Sequence, residues 1–142
     1  MRGEILKKYE RFKKAIDFLE KLQEKDVEEI ISDYTLLSSL ERNIQVAVEF
    51  LVDLSNYILA RTGYETPDTY KDIVSATGKL CGIDESLVGG IRGVIGLRNI
   101  IVHLYADVDY ELVLEELGGI ISSMLDYVSE LFKCIKDLGI DP

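Results

Sequence analysis

The sequence predicts an all-α fold: an antiparallel helical bundle of four to five main helices in one domain spanning residues 1–142. Three observations carry this expectation. Apolar residues recur at 3-4 spacing over long stretches, which places them on one face of a helix. No segment alternates apolar and polar residues as a half-buried strand does. Capping residues and glycines divide the chain at helix-sized intervals. The composition agrees: 142 residues, 47% apolar and 30% charged, with 2 prolines, describe a globular chain and exclude disordered or collagen-like ones. No apolar run reaches the ~18 residues of a membrane span. The N-terminus MRGEILKKYERFKK is charged throughout, unlike a secretory signal. The expected location is the cytoplasm.

Taken in order, Ile5, Tyr9, Phe12, Ile16 and Leu19 form the first stripe. Leu37, Leu40, Ile44, Ala47, Leu51, Leu54 and Ile58 form the second, with Glu41, Arg42, Gln45, Glu49 and Asp53 falling off it. Asp33 is placed to cap that helix, and Arg61-Thr62-Gly63-Tyr64 ends it, with glycine at the left-handed position. Thr66-Pro67 reads as N-cap and first helical residue of a short helix to about Thr77. Gly78 and Gly82 flank a connection, and Asp84 caps the next helix. A break follows Tyr105. Asp107 or Asp109 opens the last long helix, whose stripe runs Leu117, Ile121, Met124, Val128, Leu131, Ile135 and Leu138, ending near Gly139.

Charge is uneven. The formal net charge is −10, which argues against a nonspecific nucleic-acid coat protein. Residues 1–25 nonetheless hold eight bases (Arg2, Lys7, Lys8, Arg11, Lys13, Lys14, Lys21, Lys25) against five acids (Glu4, Glu10, Asp17, Glu20, Glu24). The alternation of Lys and Glu favours a solvated mixed face over a basic strip guiding a polyanion. Cys81 and Cys134 make neither a disulfide framework nor a metal cluster, and two free thiols are expected. No carboxylate or histidine set has metal-ligand spacing, so no metal or cofactor is expected. The few amides (Gln23, Gln45, Asn43, Asn56, Asn99) are of a thermophilic kind.

The segment from Asp84 to Tyr105 departs from the others. It carries Gly89, Gly90, Gly93 and Gly96. Each helical glycine costs about 1 kcal/mol relative to alanine, a large sum against a net stability of about 5–15 kcal/mol. Gly89, Gly93 and Gly96 share a face and admit a close backbone neighbour. That neighbour is either another helix of the bundle or the same helix of a second chain across a two-fold axis. The apolar register Ile91, Ile95, 98, Val102, 105 places Arg98 and Tyr105 where apolar residues belong. A guanidinium there requires a cleft or a neighbouring anion. Asn99 and the only histidine, His103, lie four apart on one helical face. Arg98 and His103 lie ~140° apart around an ideal helix. They converge only if the helix ends near 103 or both face a groove shared with a second subunit.

The octamer Arg98-Asn99-Ile100-Ile101-Val102-His103-Leu104-Tyr105 resembles the R-x4-H-x-Y motif of HepT-like proteins of the HEPN superfamily. The segments Leu40 to Glu49, Tyr57 to Arg61, Pro67-Asp68-Thr69-Tyr70 and Val108-Asp109-Tyr110 are similar to that family too, so the resemblance covers nearly the whole chain. It implies a helical homodimer with two motifs facing one cleft. It also implies the toxin of a toxin–antitoxin pair, a metal-independent endoribonuclease whose partner is an MNT-type nucleotidyltransferase. That partner silences the toxin by binding or by transferring AMP to the motif tyrosine. Carried over, Arg98 and His103 are catalytic, Asn99 supports them, and Tyr105 accepts AMP. Cleavage by an internal 2′-hydroxyl needs a base, an acid and positive charge on the phosphorane-like transition state. Histidine suits either proton role, and arginine suits the phosphate. A rival reading keeps the partner and drops the catalysis: a helical binding partner or substrate of a nucleotidyltransferase.

Overall fold

The 3-4 stripes fold as helices joined by short links. The structure, a computed structural model, describes residues 2–103 and 108–140. Its helices are α1 (Arg2–Leu22), α2 (Val27–Ile31), α3 (Tyr34–Arg61), α4 (Tyr70–Cys81), α5 (Glu85–His103) and α6 (Tyr110–Asp137), and no strand occurs among the described residues. Five of these are main helices. The short α2 has no periodic stripe and is anchored by a single buried residue, Ile30.

α3 is the central element and touches every other helix. Its stripe is buried from Leu40 to Ile58. Against it α1 places Phe12, Ile16 and Leu19, all buried. α1 runs antiparallel to α3: Lys8 pairs with Asp53 at 3.1 Å, while Phe12 meets Phe50, earlier in α3. α4 instead runs in the direction of α3, since Tyr70 bonds Glu49 and Thr77 bonds the Ser55 carbonyl. The segment 62–69 returns along the bundle to make this possible. α5 then reverses against both α4 and α6.

The buried hydroxyls of Ser55, Thr77 and Tyr127 are paired between helices. Tyr127 Oη and Ser55 Oγ lie 2.7 Å apart, and Ser55 Oγ also donates to the Leu51 carbonyl. A polar pair left unsatisfied at such depth would cost about 1–3 kcal/mol. Lys8, Lys13 and Lys25 pair with Glu4, Asp53, Glu10 and Glu29 on exposed faces, as a solvated mixed surface requires.

Several boundaries differ from expectation. Asp33 does cap α3, accepting from the Thr35 and Leu36 amides, and Gly63 does take a positive φ of 83°. Asp84 accepts from the Ser86 amide at 2.8 Å, and Asp109, rather than Asp107, caps α6. The fourth helix, however, begins at Tyr70 with Thr69 as its cap, not at Pro67, and continues to Cys81. Gly78 therefore lies inside α4 rather than in a connection. It permits a close approach within the chain: a Cβ there would fall 2.6 Å from Val88 Cγ2 on α5. Leu138 is 45% exposed, so the last stripe ends at Ile135.

The cysteines also differ from expectation. Cys81, closing α4, and Cys134, in α6, form a disulfide with a Cα–Cα distance of 5.5 Å. Two cysteines make no framework that the sequence can reveal, and a separation of 53 residues carries no local signal; only packing of α4 beside α6 brings them together.

Candidate functional site

α5 carries the motif. Its buried row is Ile91, Val94, Ile95 and Ile101, so the core-facing line passes through 98 and 101, and Val102 is 37% exposed instead of buried. Arg98 therefore does stand in a core-facing row, with its side chain 16% exposed. The anion that such a position demands is Glu49 of α3. Arg98 Nη2 donates to Glu49 Oε1 at 2.7 Å. The other oxygen, Oε2, accepts from Tyr70 Oη at 2.9 Å. The Arg98 guanidinium lies 4.7 Å from the Tyr70 ring centroid, a cation–π distance. Arg98 Nη1 donates to Asn99 Oδ1 at 3.1 Å, while Nε is buried without a partner.

Three helices thus fix one cation. A guanidinium has five N–H donors. Among the described residues each terminal nitrogen makes one hydrogen bond, which leaves each Nη a further N–H. The Tyr70 hydroxyl is held protonated above its ordinary range, first by burial and then by its bond to Glu49. Sequence reading missed Glu49 and Tyr70 as site residues, since they lie 49 and 28 positions before Arg98. Arg98 in an apolar row was the signal that some anion had to be there.

His103 is the last helical residue of α5 and is exposed. The structure joins Arg98 to Asn99 directly. Tyr105 lies outside the described residues. Gly89 and Gly93 face open space, since a Cβ at either would meet no atom within 4 Å. Packing within the bundle, one of the two readings of this glycine face, does not occur at these two positions. At Gly96 a Cβ would lie 3.4 Å from Lys71 Nζ. Gly93, Gly96, Asn99, Ile100 and Leu112 border an open groove of about 700 Å3 between α5 and α6. Among the described residues no three His, Cys, Asp or Glu side chains are gathered as a metal set. No described helix is long and apolar enough to cross a membrane.

Comparison with known proteins identifies relatives of the chain. A protein of Archaeoglobus fulgidus named "Putative RNase" is 29% identical over 123 residues, covering 86% of this chain and 91% of that one. The mRNA nuclease HepT of Shewanella oneidensis is 28% identical over 81 residues, 57% of this chain and 61% of that protein. The fold matches an AMPylated Shewanella oneidensis HEPN toxin in complex with MNT antitoxin, with a TM-score of 0.82 at 22% identity over 91% of this chain and 96% of that one. It also matches a toxin–antitoxin crystal structure with AMP-PNP, with a TM-score of 0.81 at 21% identity over 91% of this chain and 97% of that one. The ribonuclease HepT-like family matches residues 12–131. The chain belongs to the ribonuclease HepT-like family.

Proposed function

We propose that the protein is the toxin of a toxin–antitoxin pair, an endoribonuclease that works as a homodimer with Arg98 and His103 of both protomers around one phosphodiester. The observation that carries this reading is Arg98 itself. It is a permanent cation set into a core-facing row, anchored by two other helices, beside Asn99 and five residues before His103. Arg98 would bind the scissile phosphate and stabilise charge developing on its oxygens. One His103 imidazole would take the proton of the attacking 2′-hydroxyl, and its mate would protonate the 5′-oxygen as that bond breaks. A 2′,3′-cyclic phosphate and a free 5′-hydroxyl result. The chemistry needs no metal. The open glycine face of Gly89 and Gly93 gives a second copy of α5 room to approach.

The same reading makes an MNT-type nucleotidyltransferase the partner and Tyr105 the AMP acceptor. Adding AMP there would add a bulky anion to the motif and oppose RNA binding. The reading puts the protein in the cytoplasm. A Cys81–Cys134 bridge is compatible with that compartment in hyperthermophilic organisms.

The alternative, a non-catalytic partner or substrate of a transferase, is favoured by one observation: Glu49 already neutralises Arg98 in a chain of net charge −10. Purified protein incubated with total RNA in EDTA, beside Arg98→Ala and His103→Ala, separates the two. Cleavage by the parent alone supports the nuclease. Cleavage by none, with AMP transfer to Tyr105 by a cognate transferase, supports the alternative.

A further inference from the structure

We infer that Glu49 is a positioning residue for the Arg98 guanidinium, with Tyr70 as its second anchor. The inference rests on the proposed role of Arg98 at the scissile phosphate. The carboxylate divides its two oxygens, Oε1 to Arg98 Nη2 at 2.7 Å and Oε2 to Tyr70 Oη at 2.9 Å. The first contact fixes one edge of the guanidinium. The second fixes the Tyr70 ring, whose face in turn sets the guanidinium plane at 4.7 Å. A side chain with four rotatable bonds is thereby held in one place by α3 and α4.

An arginine free to swing would have to be ordered again at each encounter with RNA. Preorganised donors avoid that cost, and misplacement of a catalytic group by about 1 Å can lower a rate on the order of 100-fold. Glu49 also opposes ground-state attraction, since its charge offsets that of Arg98. Its loss should therefore slow the chemical step without weakening RNA binding. Removal of a merely structural pair would instead depress both, together with folding. Glu49 is suited to this test because its side chain is 41% exposed, so shortening it opens no buried cavity.

The test measures kcat and KM on a short RNA, and the dissociation constant of its uncleavable 2′-deoxy analogue. The variants are Glu49→Ala, Glu49→Asp, Glu49→Gln and Tyr70→Phe. Glu49→Ala is expected to lower kcat roughly 10- to 100-fold, with analogue binding unchanged or tighter. Glu49→Asp, which withdraws the carboxylate by one methylene, should also lose about tenfold or more, and stands in if the alanine variant does not fold. Glu49→Gln keeps an acceptor for Nη2 and should retain kcat within about threefold. Tyr70→Phe keeps the ring and should fall between. Parental kcat in both Glu49→Ala and Glu49→Asp overturns the inference, as does a glutamine variant no better than alanine. Arg98→Ala run alongside separates the two levels: if it still cuts RNA, the function assigned to the site has failed rather than the role of Glu49.

Discussion

Reduction of the Cys81–Cys134 bridge tests the packing of α4 on α6. The bond closes a loop of 53 residues. By chain-entropy reasoning, such a cross-link removes about 4 kcal/mol of conformational freedom from the unfolded chain. That is a substantial part of the net stability of about 5–15 kcal/mol of a domain this size. At roughly 3 °C per kcal/mol for about 140 residues, the thermal midpoint should fall by about 12 °C. Cys134 is 6% exposed and packs in the core, so the double variant Cys81→Ala with Cys134→Ala adds a cavity cost, whereas chemical reduction does not. The assay is thermal unfolding followed by circular dichroism, with and without a phosphine reductant, and the double variant as a third sample. The reductant should leave the midpoint of the double variant unchanged. A shift of less than about 3 °C in the parent would count against the bridge and the packing of α4 on α6.

Other consequences concern glycine, charge and tyrosine. Gly78→Ala gains about 1 kcal/mol of helix propensity but drives a Cβ into Val88, an overpacking cost of about 1–3 kcal/mol; the midpoint should fall, and a rise refutes the close approach of α4 and α5. A Cβ at Gly93 would meet no atom within 4 Å, so Gly93→Arg should leave the monomer folded while the homodimer and RNA cleavage are lost together; sedimentation showing an intact dimer would contradict the use of this face. Burial raises the hydroxyl pKa of Tyr70, with Glu49 adding to the effect, and burial raises that of Tyr127 against a smaller opposite pull from Ser55. Both groups keep their protons in the folded chain where the unfolded chain has lost them. Their stabilising contribution is thus full below about pH 10 and lost as pH rises above it. Tyr127→Phe should flatten that alkaline decline, and an unchanged slope counts against the buried hydroxyl.

Much of the fold can be read from local pattern, because burial of one helical face is a local property. The stripes of α1, α3 and α6 lie in the core as spaced, except at their ends, where Leu138 meets solvent. Caps at Asp33, Asp84 and Asp109 could be read because a side chain two or three residues from an amide needs no tertiary help. Thr66-Pro67 misled because Thr69 offers an equally good cap closer to the apolar face of α4. Gly78 was hidden because its reason, Val88, belongs to another helix. The motif side chains Arg98, Asn99 and His103 fall within six residues of one another and could be found. Glu49 and Tyr70 could not, since nothing about either residue in its own helix distinguishes a clamp for arginine from an ordinary polar face. The disulfide was illegible for the same reason.

The central claim is that imidazoles from two protomers act on one bond. It is tested most directly by the single-turnover cleavage rate of an isolated heterodimer, co-purified on two different affinity tags, in which one protomer is parental and the other carries His103→Ala. The shared-site account predicts a loss far greater than half, approaching that of the doubly substituted dimer. A heterodimer that retains half the parental rate would mean that each protomer cuts alone, and would contradict it.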